Sequence, residues 1–542
     1  MKRVLIVGGV AGGASCAARL RRLDEAAEIT VFDRGPYVSF ANCGLPYYVG
    51  DVIREEKKLL VASAQLFRDR FRIDVRTEHE VVAIDRAAQT IRVRDLCGGG
   101  VVVDERYDAL VLAPGASAVK PAVPGVDLPG IFTVRTIPDS RRLRDWLAGG
   151  QARRAVIVGG GFIGLEMAEN LARRGLAVTM LEKADQLLPP FDPEMAAPLQ
   201  RHLEQKGIEV RLGDGLASFA PGLIVKTEKG AALAADVVIL AIGVRPETSL
   251  AREAGLAISG PSGGIAVDES MRTSDPRIYA VGDAVETVDA VTGMRQVVAL
   301  AGPANRQGRV AAEAIACRGT HFRGTQGTAV CAAFGLTVAS TGASEKALKR
   351  AGISDYETVY LHPGHHVGYY PGARPIHLKL LFRRSDGRVL GAQAVGEEGV
   401  DKRIDVIATA IQLGGTVHDL AEAELCYAPQ FGAAKDPVNL AGFVAENVRN
   451  GDMPLAAPGA DAFLLDVREP EECARGMLAG AVNIPLHQLR QRLEEIPRGK
   501  AVDVCCAVGQ RGYYAVRLLR QRGYDARNFS GGWETLNFLR SR

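Results

Sequence analysis

The chain has 542 residues, 47% of them apolar, and a formal net charge of +3 from 66 Lys and Arg against 63 Asp and Glu. That length divides into several cores, and near-neutrality without a block of like charge argues against nucleic acid as a partner. No apolar run approaches the roughly 18 residues that cross a bilayer. Nine cysteines without regular spacing do not make a secreted disulfide framework, so a reducing cytoplasm is expected.

The first predicted element is a buried strand over 4–7. It runs straight into a glycine turn, which a signal peptide would not do. Gly8-Gly9-Val10-Ala11-Gly12-Gly13 then opens a helix, and a second strand over 29–32 ends at Asp33. Glycines let a backbone approach a pyrophosphate, the helix start offers oriented N–H groups, and an acid at the strand end suits a ribose diol. Val10 stands where the fingerprint has its middle glycine, so this match is imperfect. Within the following helix Ser15, Arg19 and Arg22 share one face and Cys16, Leu20 and Leu23 another, which makes Cys16 a core residue. Two arginines on one face could grip phosphates. Next comes Ser39-Phe40-Ala41-Asn42-Cys43-Gly44-Leu45-Pro46-Tyr47-Tyr48. Pro46 in a first helical turn puts Cys43 near a helix N-terminus, where the thiolate is expected to be favoured.

A strand over 109–112 ends in Ala113-Pro114-Gly115. A second βαβ unit follows: strand 155–158, the complete fingerprint Gly159-Gly160-Gly161-Phe162-Ile163-Gly164, a helix, strand 177–181 and Glu182. An acid there binds the ribose of NADH and repels the extra phosphate of NADPH; Lys183 beside it works the other way. Strand 237–240 leads to Ala241-Ile242-Gly243 and closes this domain. Strand 278–281 runs into Gly282-Asp283. Two such units in one chain imply two nucleotides.

The stretch 325–447 is less regular, with strands over 377–382 and 389–395 and an amphipathic helix over 402–413. His362, His365 and His366 cluster without cysteine or carboxylate at ligand spacing, so no metal is assigned. Residues 448–457, with Asn450-Gly451 and Met453-Pro454, read as a linker continuing through Pro458-Gly459. Beyond it a strand ends at Asp466-Val467-Arg468, and another, over 502–505, leads into Cys506-Ala507-Val508-Gly509-Gln510-Arg511 and a helix, with Gly531-Gly532-Trp533 later. A cysteine on a strand-to-helix loop ringed by N–H groups is stabilised as thiolate or persulfide, and Arg511 adds positive charge. Cys505 faces the core by strand alternation.

Several of these motifs carry a resemblance. The first glycine loop, the Ala113-Pro114-Gly115 turn and Gly282-Asp283 resemble, in order, the FAD-binding motifs of two-dinucleotide-domain flavoproteins, which would put Asp283 at the ribityl chain. Residues 39–47, together with 300–308, 427–431 and 435–439, resemble coenzyme A-disulfide reductases and NADH-dependent persulfide reductases across roughly 1–447. Flavin disulfide reductases usually carry a second cysteine five positions after the first; here that position is Tyr48, so Cys43 must cycle with an external sulfur. The resemblance implies coenzyme A contacts at Ser15, Arg19, Arg22, Ser39, Asn42, Asn305 and Lys435. It also implies a homodimer in which Tyr427 reaches the partner subunit's cysteine. Phe71, with Arg72 adjacent, replaces a basic residue that some members use. Tyr369-Tyr370 resemble tyrosines near the active cysteine, with core packing as the competing reading. Residues 458–542 resemble rhodanese domains.

The expected fold is α/β: an FAD domain (1–149 and 247–324), an NAD(P)H domain (150–246), an α+β dimerisation domain (325–447), a linker (448–457) and an α/β rhodanese domain (458–542). The expected function is NADH-dependent reduction of coenzyme A persulfide or polysulfide through FAD and Cys43, with sulfur transfer at Cys506. Coenzyme A-disulfide reduction and NADH oxidation are the nearest alternatives. A redox-sensing or sulfur-relay interaction protein is the alternative of another class.

Overall fold

The computed structural model describes residues 2–457 and 461–540. Pro458-Gly459 and the expected domain start at 458 lie outside them. The chain forms two compact units, Met1–Asp185 with Gly207–Gly327, and Gln186–Lys206 with Thr328–Arg542.

The first unit holds two parallel five-stranded sheets. One runs in the order Ile278–Ala280, Ala109–Leu112, Arg3–Val7, Glu28–Asp33, Asp74–Thr77. Its central strand is apolar from Val4 to Val7 because both faces are covered. Val4 and Ile6 pack into one core with the helices Ala11–Leu23 and Ala301–Ile315, while Leu5 joins a core on the opposite face. The two helices cross at backbone contact: a Cβ on Gly308 would lie 2.2 Å from the Gly12 carbonyl oxygen. The second sheet runs Glu209–Arg211, Ala177–Leu181, Arg154–Val158, Val237–Leu240, Ile131–Phe132, with the helix Phe162–Arg173 following its central strand. In each sheet the glycine loop leaves the carboxyl end of the central strand, where α/β sheets bind ligands.

The second unit begins with an antiparallel sheet in the order Ala329–Ala333, Leu336–Gly342, Val389–Gly396, Ile376–Phe382, Glu357–Leu361. Its middle strand is buried along its whole length, against the helices Val400–Leu413 and Pro193–Gln205. The latter helix falls within 150–246 by chain position but packs here. The C-terminal domain is a parallel sheet, Val482–Asn483, Phe463–Asp466, Val502–Cys505, Ala526–Asn528, with the helix Gln510–Gln521 after the third of these strands.

The segment read as a linker is partly structured. The helix Pro437–Arg449 overruns its start. Asn528 donates its N–H to the Pro454 carbonyl at 2.8 Å, and the Ala456 N–H donates to the Asn528 carbonyl at 2.9 Å, so the chain lies alongside the edge strand of the C-terminal sheet. Among the described residues no helix is long and apolar enough to cross a membrane.

Candidate active site

The first glycine loop is shaped by contacts that exclude side chains. A Cβ on Gly8 (φ +95°) would fall 2.1 Å from the Ala113 oxygen, and one on Gly13 would fall 1.9 Å from the Gly8 oxygen. Val10 takes an ordinary φ of −95° at the helix N-cap, so a glycine is not required there and Ala11 begins the helix. The Asp33 carboxylate accepts the N–H groups of Gly9 and Gly35, each at 2.9 Å. Burial pushes its carboxyl above the usual range against those two bonds. Gly115 (φ +73°) turns the chain after Ala113, and Gly282 (φ +84°) turns it before Asp283. Burial also raises Asp283, and the Arg135 guanidinium, 3.4 Å away, opposes the shift.

The second loop repeats the plan. A Cβ on Gly159 (φ +111°) would meet the Ala241 oxygen at 2.3 Å and one on Gly164 the Gly159 oxygen at 2.1 Å, whereas one on Gly161 would meet open space. The two tight glycines fold the turn, and the open one leaves the backbone before Phe162 and Ile163 accessible to a phosphate. Glu182 accepts the N–H of Gly160 at 2.6 Å and that of Ala184 at 2.8 Å. Lys183 is engaged by Glu228 at 2.8 Å. Gly243 takes φ +106° beside the short ribbon of Val244–Pro246 and Ala116–Ala118.

Cys43 is an unpaired, exposed thiol in the 3-10 turn Asn42–Gly44, just before the helix Leu45–Val49. Here the structure corrects the sequence-based expectation of a favoured thiolate. The helix has only five residues, and its dipole is correspondingly weak. Partial burial and the charges of Glu166 and Asp283 raise the thiol's pKa, with Arg135 opposing them. Glu166 reaches the loop from the second nucleotide helix and accepts the Tyr47 hydroxyl at 3.2 Å; burial holds its carboxyl above the usual range. Asn42 donates to the Arg135 carbonyl at 3.3 Å. Tyr48 is buried under the Arg144 guanidinium, 4.1 Å from the ring centre, so a packing residue fills the position of a second cysteine. Ser39 sits in the left-handed region (φ +47°), and its N–H bonds the Gly9 carbonyl at 2.8 Å.

The residues expected to hold coenzyme A divide. Ser15 and Asn305 meet in a short hydrogen bond on the exposed side of the helix crossing. Arg19 is already held by Glu313 at 2.6 Å, so its charge is matched within the chain. Arg22 is exposed, and Cys16 is core, its thiol raised to about 12 by burial. Arg72, beside Phe71, pairs with Glu25 at 3.2 Å. In the second unit Lys435 is exposed, and the hydroxyls of Tyr427 and Tyr369 are 2.7 Å apart, both side chains open to solvent. Tyr369 is 74% exposed, which rules out core packing for it.

In the C-terminal domain Cys506 is buried, and its Sγ accepts the Gly509 N–H at 3.1 Å. Cys505 lies in a separate apolar cluster with Leu478 and Phe529, as alternation requires. Arg511 is not a free cation: both its terminal nitrogens bond Glu472 at 2.6 Å, and Glu472 is held at about 2. Burial and a hydrogen bond to Asp466 fix Arg468, which stacks 4.8 Å from the Trp533 ring centre.

Residues 2–308 match the profile of the pyridine nucleotide-disulphide oxidoreductases. The chain belongs to that family. Residues 328–436 match the dimerisation domain of the same oxidoreductases, and residues 452–537 match the rhodanese-like domain. The coenzyme A disulfide reductase of Staphylococcus epidermidis is 36% identical over 447 residues, which cover 82% of this chain and 100% of that one. Reduced Bacillus anthracis CoADR-RHD superposes with a TM-score of 0.97 at 45% identity, covering 99% of this chain and 98% of that one. A NAD-dependent persulfide reductase from A. fulgidus gives 0.91 at 39% identity, covering 98% and 99%. The oxidoreductase is thus an enzyme of a family that works with FAD and a pyridine nucleotide. Its two glycine cradles, each closed by an acid, fit two nucleotides.

Sequence reading missed Arg135 and Glu166 around Cys43, Glu313 beside Arg19, and Glu472 beside Arg511. Each arrives from a distant segment without a motif of its own. Also unforeseen is a buried group in the second unit. The Lys379 ammonium lies 2.8 Å from Asp192, 2.5 Å from Glu194 and 3.0 Å from Glu345. Those three carboxylates have the mutual spacing of a cation site, and the ammonium sits among them.

Proposed function

We propose that this oxidoreductase is an NADH-dependent flavoprotein that reduces the sulfane sulfur of coenzyme A persulfide or a polysulfide to sulfide at Cys43, with Cys506 handling sulfur transfer. The observation that carries the reading is a single cysteine, with buried Tyr48 in the second position, in one chain with a second, N–H-ligated cysteine at Cys506. A lone cysteine needs an external sulfur partner, and a sulfurtransferase loop can supply one. Covalent fusion raises the effective concentration of the two sites.

We assign FAD to the cradle of Gly8, Gly9, Val10, Ala11, Gly12 and Gly13, with Asp33, Ala113, Gly115, Gly282 and Asp283. NADH is assigned to Gly159, Gly161, Phe162, Ile163 and Gly164 with Glu182 and Gly243. An acid such as Glu182 at the end of this strand favours NADH over NADPH, and Lys183 is occupied by Glu228. Bound FAD and NADH together supply an electron pair to sulfur. The Cys43 thiolate attacks the outer sulfur of the persulfide, and the coenzyme A thiolate leaves. Two electrons then split the new S–S bond into the Cys43 thiolate and hydrosulfide. Glu166 and Tyr47 stand beside Cys43 to hold the proton that its thiol gives up. Arg135 offsets part of the negative charge around the thiolate.

Coenzyme A is assigned to Ser15, Arg22, Ser39, Asn42 and Asn305 of the first unit, and Lys435 of the second is a separate candidate; Arg19 joins only by exchanging Glu313 for a phosphate. The matched dimerisation domain and the open Tyr427–Tyr369 pair support a homodimer.

The test is anaerobic stopped-flow oxidation of the NADH-reduced enzyme, as wild type, Cys43→Ser and Cys506→Ser, with coenzyme A persulfide and coenzyme A disulfide offered separately. Faster reoxidation by persulfide, lost only in Cys43→Ser, supports the proposal. Faster reoxidation by disulfide makes the enzyme a coenzyme A-disulfide reductase, the activity named for the Staphylococcus relative. Reoxidation by neither faster than by oxygen, in an aerobic control, leaves an oxidase or sensor.

A further inference from the structure

The Cys506 loop is backed by a second turn. Gly531 and Gly532 both take positive φ, +69° and +61°, and the space around them shows why. A Cβ on Gly532 would lie 2.3 Å from the Cys506 carbonyl oxygen and 2.8 Å from the Gly509 nitrogen, the atom that donates to Cys506 Sγ. Trp533 donates its N–H to the Cys506 carbonyl at 2.7 Å, and Glu534 donates to that of Ala507 at 3.0 Å.

The other side of the turn meets Thr535 of its own domain and, beyond it, a second domain. A Cβ on Gly531 would lie 2.7 Å from Tyr360 Cβ and 3.0 Å from His362 Nε2. Both residues sit at the edge strand Glu357–Leu361 of the antiparallel sheet, or just after it. The Tyr360 N–H donates to Ser530 Oγ at 2.8 Å. His362 Nε2 and Thr535 Oγ1 are 2.8 Å apart, and His362 Nδ1 is 2.8 Å from His377 Nδ1. Phe538 packs edge-on against both imidazoles. One imidazole donating to the other fixes both rings and tautomers. The hydrogen-bonded line therefore runs from His377 through His362 and Thr535 to the turn that carries the Cys506 loop.

We infer that His362, a residue of the dimerisation domain, is a positioning residue for sulfur transfer at Cys506, acting through Thr535 and the Gly531-Gly532 turn. The inference rests on the reading that Cys506 carries sulfur. A buried nucleophile with its donor N–H set by a neighbouring turn is sensitive to sub-ångström displacement of that turn. Because part of the hold comes from another domain, the sulfur loop takes part of its geometry from the dimerisation domain.

The test is thiosulfate:cyanide sulfur transfer by the full-length flavin-loaded enzyme, as wild type, His362→Phe, His362→Gln, Thr535→Val and Cys506→Ser. In this assay the Cys506 thiolate attacks the outer sulfur of thiosulfate, the S–S bond breaks and sulfite leaves with the electron pair. Cyanide then removes that sulfur as thiocyanate and restores the thiolate. His362→Phe and Thr535→Val are each expected to lower kcat about tenfold or more with KM changed less than about threefold. Iodoacetamide labelling of Cys506 should rise as the loop loosens, and His362→Gln, which keeps a donor and an acceptor, should restore both readings. Wild-type kcat in both His362→Phe and Thr535→Val overturns the inference. So does a loss that His362→Gln fails to rescue while labelling stays unchanged. Transfer surviving in Cys506→Ser overturns the Cys506 reading itself, and the inference with it.

Discussion

Glu472 holds Arg511 with both carboxylate oxygens, at 2.6 Å each, so the cation at the end of the Cys506 loop already has its anion. Arg511→Gln should leave the carboxylate uncompensated beside an anionic sulfur donor. Sulfur transfer from thiosulfate is then expected to fall about tenfold or more, and Glu472→Gln, which removes the repelling charge, to lose less than about threefold. Steady-state kinetics of the two variants decides it. Equal losses would make the pair a clamp on the loop rather than an electrostatic device.

The Cys43 thiol is raised by burial first and by Glu166 next. Glu166→Gln removes that charge while keeping a partner for Tyr47. The pH profile of Cys43 alkylation should move to lower pH in the variant, and turnover near neutral pH should fall because the proton has lost its holder. An unmoved alkylation profile would place Glu166 outside the thiol's electrostatic field.

Lys379 is fully buried among Asp192, Glu194 and Glu345. Replacing it with Met leaves buried carboxylates unmatched, at an expected cost of about 3–5 kcal/mol, read from denaturant unfolding of the second unit. Glu345 is held at about 2, its burial outweighed by Lys379. Its unfolded value is roughly 4.3, so its contribution is complete above that pH and is lost as pH falls through about 2.

His362 and His377 are pushed down by burial to about 3 and about 4. Below roughly pH 6.5 the unfolded chain takes up protons that the folded pair refuses, so stability falls with pH through that window. The double variant His362→Gln/His377→Gln should flatten the melting-temperature profile between about pH 6.5 and 4. A profile as steep as wild type would mean that other groups carry the acid sensitivity.

The parts of the site legible in the sequence are those set by local geometry. Gly8, Gly13, Gly159 and Gly164 meet backbone oxygens a few residues away or on the next strand, and Asp33 and Glu182 close their own loops. The same locality made Cys16 and Cys505 readable as core. What the sequence concealed is electrostatic and long-range. Nothing near Cys43 announces that Glu166 comes from another sheet's helix, so the expectation of a lowered thiol pKa failed for want of two carboxylates. Arg19 and Arg511 had the right chemistry for anions, but Glu313 and Glu472 take them up first. His362 had no role assigned in the sequence because its partners, His377 and Thr535, are joined to it only by folding.

The pairing of Pro454 and Ala456 with Asn528 gives the tether a second job. An open sheet edge is a template for unwanted association, and here the chain's own approach covers it. A sulfur-transfer module excised after residue 457 would leave that edge bare, so the shortest soluble version must carry the approach with it. The border between the two domains is in this sense shared, and a graft of the module onto another enzyme should bring residues 454–456 along.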